Sequence, residues 1–199
     1  FGFVIRQLMQ REEGSQSLSQ ISGLFKLNCL ANVGWILAWH YDQLEVSMVL
    51  MVVILWTLIK INAILNSDGS IVGAWNFVLL ILPFNIYFGW ISVASIANIS
   101  ILQSAYGLND FLLSQQTWTV LKLGLALAAA FFFGRQKRNA AYLFVIAWAA
   151  FGISVANVNE PVVKIAALML VLISVSLGVL AGLERIISGP QSKPYETSS

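Results

Sequence analysis

Six stretches of this chain run for eighteen or more residues with almost no charge, and that pattern leaves few folds open. They lie at about 21–41, 44–65, 83–106, 117–134, 139–158 and 162–187. A helix rises ~1.5 Å per residue, so roughly 20 apolar residues cross a bilayer's hydrocarbon core. In hydrocarbon every backbone amide needs an internal partner, which leaves helices or a closed barrel. Runs this long and unalternating specify helices. The composition agrees: 58% of residues are hydrophobic and only 10% charged, against about 25% charged in soluble domains. The expected fold is all-α, a polytopic transmembrane helical bundle with six spans in this chain.

Turn residues separate the spans. Asn66-Ser-Asp-Gly-Ser70, Gly107-Leu-Asn-Asp110, Gly134-Arg-Gln-Lys-Arg-Asn139 and Asn157-Val-Asn-Glu-Pro161 all favour loops. The segment 71–106 is nearly uncharged but broken by Pro83, and could be one long kinked helix, an interfacial helix plus a span, or two spans. Basic residues decide. With one span, Arg6, Arg11, Lys26, Lys60, Arg135, Lys137, Arg138, Arg185 and Lys193 share a side, and only Lys122 and Lys164 face the other. With two spans the basic residues divide almost evenly. Cytoplasmic loops are enriched in Lys and Arg, so one span is expected, kinked where Pro83 removes a backbone hydrogen bond. Both ends of the chain then face the cytoplasm, or the matrix or stroma of an organelle. Arg135-Gln-Lys-Arg138 reads as a topology determinant rather than a lipid-binding site.

Two spans carry matched polar and aromatic stripes. Asn28, Asn32, Trp35 and Trp39 recur at steps of three or four, and so do Tyr87, Trp90, Ala94 and Asn98. An amide in hydrocarbon is costly without a partner, so both stripes are expected to face another helix or a ligand. Cys29 reads as a small buried hydrophobe. His40, the only histidine, sits at a span end and reads as a solvated interfacial residue. Lys122 is the one basic residue some way inside a span.

The same residues carry a resemblance. Leu30-Ala-Asn32-Val-Gly-Trp35 resembles the Asn-x-x-Trp signature on the third helix of the TspO family, the tryptophan-rich sensory and translocator proteins. Trp56, within Met51-Val-Val-Ile-Leu-Trp56-Thr-Leu, is similar to the fourth helix. Leu82-Pro83-Phe through Trp90-x-x-x-Ala94-x-x-x-Asn98 resembles the fifth. The likeness covers about residues 1–105. On it, residues 1–106 are TspO-like helices (the end of helix two, then helices three to five). Residues 107–187 are three additional helices, and 188–199 are a disordered polar tail. Such a chain would be an extended relative, with helix one, most of helix two and their connecting loop missing from this sequence.

The resemblance implies a non-enzymatic protein that binds, senses or carries a hydrophobic ligand of tetrapyrrole, porphyrin or sterol type. The ligand-binding residues it implies are Asn32, Trp35, Trp39, Trp56, Tyr87, Trp90, Ala94 and Asn98, with Asn28 as a further candidate. Chemistry agrees in outline: indole faces stack on flat rings, and amides orient a polar edge. No catalytic, metal or resident-cofactor motif is present, beyond the porphyrin-type ligand itself. None of the nine acidic residues is mid-span, which argues against a carboxylate-based proton pump. Expected partners are membrane lipids and a hydrophobic small molecule, with a homodimer or a larger membrane complex as the protein partners. The small net charge of +2 gives no reason to expect nucleic acid. The alternative reading is a structural or accessory subunit of a larger membrane complex.

Overall fold

The computed structural model describes residues 16–67, 74–108 and 113–188. The expected helix end at 1–7, the tail at 189–199 and parts of two loops lie outside the described residues. Six long helices account for nearly everything else: α1 Gln16–His40, α2 Leu44–Ser67, α3 Leu82–Ala105, α4 Gln115–Ala129, α5 Ala140–Ala156 and α6 Pro161–Ser188. Five helical stretches are long and apolar enough to cross a membrane; α5, with 17 residues, is a shorter apolar helix. The chain is an integral membrane protein with a helical bundle fold.

Local chemistry sets the helix ends. Ser114 Oγ accepts from Thr117 N at 3.3 Å and opens α4, while Asn139 Oδ1 accepts from Tyr142 N at 3.1 Å and opens α5. Pro161, whose missing N–H is no loss there, starts α6. Gly107 closes α3 at φ +66°, and Leu108 N reaches back to Gln103 O at 2.9 Å. The α1–α2 connection is three residues with Asp42 at φ 53°, a left-handed position that aspartate tolerates better than most.

Segment 74–105 is one unbroken helical run, as the distribution of basic residues predicts. Its irregularity begins before the proline. A turn at Ala74–Asn76 passes into a π-helical stretch at Phe77–Ile81, where Leu82 N–H bonds to Phe77 O, five residues back. Pro83 then comes as one of the first residues of α3. A second π-helical stretch, Ala130–Arg135, ends α4, with Gln136 N bonded to Phe131 O at 3.0 Å.

Short connections make sequence neighbours antiparallel. α1 packs on α2, α2 on α3, α3 on α5, α5 on α6, and α6 on α4, so α3 joins the first half to the second. Side-chain contacts fasten the two ends. At one end Arg135 forks onto Glu184 (2.7 and 3.1 Å), Arg138 Nε lies 3.3 Å from the same carboxylate, and Arg185 stacks on Phe77 at 4.5 Å. At the other, Tyr106 donates to Glu45 and Gln116 to Glu160. The bond to Glu45 raises the Tyr106 pKa above that of an ordinary phenol.

Between lipid-facing helices the hydrophobic effect is weak, and contact quality decides stability. Met51, Ile54, Leu58 and Ile61 form the buried ridge of α2. Tyr142, Phe88 and Phe133 form an aromatic knot where α3, α4 and α5 meet, with Tyr142 4.9 Å from Phe88 and 6.2 Å from Phe133 between ring centres. Glycines permit the closest approaches: a Cβ on Gly89 would lie 2.9 Å from Val145 Cβ, and one on Gly134 2.5 Å from Leu143 Cγ. Cys29 corrects the expectation of burial. It is exposed, because its neighbour Asn28 takes the inward direction and adjacent helical residues diverge by about 100°.

Candidate ligand-binding face

Asn28 and Asn32 stand one turn apart on α1, and both reach Tyr87 on α3. Asn28 is buried and uses every polar atom. Its Nδ2 donates to Thr57 Oγ1 (2.7 Å) and Ile54 O (3.2 Å), and its Oδ1 accepts from Tyr87 OH (3.1 Å). Asn32 Nδ2 donates to the same phenol at 3.3 Å. Thr57 Oγ1 in turn donates to Ile54 O at 2.8 Å. The result is a continuous polar chain across α1, α2 and α3, in a setting where each unpaired group would be costly. Replacing Asn28 with leucine should cost about 1 kcal/mol, read from reversible unfolding in mixed micelles. An unchanged stability would mean that the chain does not tie the three helices together.

α1 and α3 run parallel, and their contacts fix the register. Phe25 meets Phe84 edge-on at 5.9 Å, and Asn28 meets Tyr87. Carried forward, the register puts Trp35 at the depth of Ala94 and Trp39 at the depth of Asn98. Trp35 stacks on Trp39 at 6.0 Å. The Trp35 indole N–H is buried and has no partner among the described residues, and the same is true of Asn98 Nδ2. Buried donors without acceptors are uncommon in finished structures. Beside the polar chain, Leu82, Pro83, Ile86, Tyr87 and Trp90 line an apolar groove of about 460 Å³. Trp90 itself is 47% exposed and tilts against Trp148 of α5 at 5.4 Å.

A family model described as TSPO-like protein matches residues 1–180. The chain belongs to the TSPO-like family. No curated protein and no solved structure matches it. The TSPO-like match runs through α4, α5 and most of α6, well past the half of the chain in which the signature residues stand.

In this TSPO-like chain the eight residues singled out from sequence do not form one cluster. Asn32 and Tyr87 touch. Trp35 and Trp39 continue the α1 stripe, while Trp90 and the half-buried Ala94 continue that of α3. Asn98 lies eight residues beyond Trp90, roughly 12 Å along the helix. Trp56 is 47% exposed on the outer side of α2, with the Lys60 ammonium 6.0 Å from its ring. It is the adjacent Thr57 that turns inward. Sequence reasoning passed over Thr57 and Trp148. A hydroxyl in a mostly apolar span was the available signal for the first; Trp148 carried none beyond its residue type.

Proposed function

We propose that the chain is a non-catalytic receptor or carrier for a flat hydrophobic molecule of tetrapyrrole or sterol type, bound where α1 and α3 face each other. The observation that carries this reading is the pair of buried, unpartnered donors, Trp35 Nε1 and Asn98 Nδ2, at adjoining depths on the two parallel helices. A ligand with an acceptor edge would satisfy them, and Ala94, at the depth of Trp35, costs little space. Tyr87 and Trp90 offer ring surface alongside. Apolar walls with a few placed polar groups suit such a ligand. The clustering of basic residues favours an orientation with the Arg135–Arg138 turn toward the cytoplasm, matrix or stroma.

The test is quenching of tryptophan fluorescence by protoporphyrin IX, with cholesterol as a competitor. The wild-type protein should quench saturably at low micromolar ligand, about the affinity of a modest apolar site. Trp35→Phe combined with Asn98→Leu removes both donors while leaving a ring at one position and a similar volume at the other. It should weaken binding about tenfold, the value of one to two net hydrogen bonds. Equal affinity in the wild type and the double variant, with both folded, would sink this reading.

A further inference from the structure

We propose a second binding site, at the end of the bundle that carries Arg135–Arg138, for an anionic phospholipid whose headgroup bears a hydroxyl. It is independent of the α1–α3 face. A cleft of about 490 Å³ opens there between the last turns of α2, Phe88 of α3, and the π-helical end of α4 with its adjoining turn. That volume falls in the range of small-molecule sites.

Three observations define the occupant. The first is an unanswered acceptor. Asn62 lines the cleft and is only 5% exposed. Its Nδ2 donates to Leu58 O at 3.3 Å, but its Oδ1 has no donor. A buried amide oxygen of this kind asks for a hydroxyl or an N–H from the ligand. The second is charge. Lys137 and Arg138 line the same cleft. Arg138 and Arg135 share the single carboxylate of Glu184, and Lys137 makes no ion pair among the described residues. Lys137 and Arg138 together set basic side chains at the mouth of the cleft, which suits a phosphate. The third is the floor. Phe88 and Phe133 meet at 5.1 Å, Phe132 packs edge-on against Phe133, and Phe132 is half exposed on the outer surface. The aromatic floor is therefore continuous with the surface that faces acyl chains. A soluble anion would use the cations but not this floor. A phospholipid uses both, with its head at the helix ends, where headgroups lie. Sequence alone reads the basic run as a topology signal; the cleft beneath it is what folding adds.

The full chain, purified in mild detergent, is titrated with phosphatidylglycerol and with phosphatidylcholine of the same acyl chains, and bound lipid is counted by native mass spectrometry. Phosphatidylglycerol should be held about tenfold more tightly, the value of a charge-assisted contact. Lys137→Gln should cut that preference severalfold. Lys137 is exposed, so folding is not at stake. Asn62→Leu should lower phosphatidylglycerol retention further. Equal retention of the two lipids overturns the proposal, as does a preference that survives Lys137→Gln. Displacement of the lipid by free glycerol phosphate at matching concentration would assign the site to a soluble anion and overturn it as well.

Discussion

Tyr142→Ala is expected to lose about 3 kcal/mol of stability, the largest single effect in the bundle. Tyr142 is wholly buried at the meeting point of three helices, against Phe88 and Phe133. In lipid, removing its ring forfeits dispersion contacts with little solvation change to offset them, since a cavity too small for lipid leaves its lining without partners. Tyr142→Phe keeps the ring and should stay within about 1 kcal/mol of wild type. Reversible unfolding by SDS in mixed micelles measures both. A loss under about 1 kcal/mol for the alanine variant would show that the aromatic knot is not the fastening between the two halves.

Gly89→Leu should come close behind, at about 2–3 kcal/mol. The Cβ alone would meet Val145 Cβ at 2.9 Å and the Tyr142 carbonyl oxygen at 3.3 Å. Neither is the end of a flexible side chain, so α3 and α5 would have to separate. Gly89→Ala should cost about half as much, and pairing it with Val145→Gly, which removes the opposing Cβ, should recover part of the loss. Gly152, also helical, has nothing within 4 Å of its would-be Cβ. Gly152→Ala should be neutral or gain up to about 1 kcal/mol from helix propensity. The same unfolding assay separates the two sites. Equal effects at Gly89 and Gly152 would contradict the close α3–α5 crossing.

Much of this architecture can be read from the chain because hydrocarbon is a simple solvent. A span needs length and apolarity, and residues 44–65 and 162–187 supply both without ambiguity. The distribution of Lys and Arg was enough to read a single span within 71–106, and the described part, 74–105, is one helical run. Asn28 and Asn32 signalled an inward face through the cost of an unpaired amide, and both bond across helices. What could not be read is rotation. A span apolar on most sides announces its buried side only faintly, and the Thr57 hydroxyl was the one hint that Thr57 faces in while its neighbour Trp56 faces out. The cleft under the basic turn was also invisible, because its wall joins residues from α2, α3 and the α4–α5 turn that only tertiary packing brings together.

The π-helical stretch ahead of α3 bears on that problem of rotation. A π-helical stretch takes in one more residue than α-helical winding would, and so turns the downstream helix by about 100° relative to the upstream one. Phe77–Ile81 therefore acts as a phase setter: the azimuth at which Tyr87 meets Asn28 and Asn32 is chosen upstream, by a stretch that touches neither. Shortening that stretch by a single residue would leave α3 just as long and just as greasy, yet turn its polar edge away from α1. The register of the candidate face is thus held in backbone winding as much as in side chains.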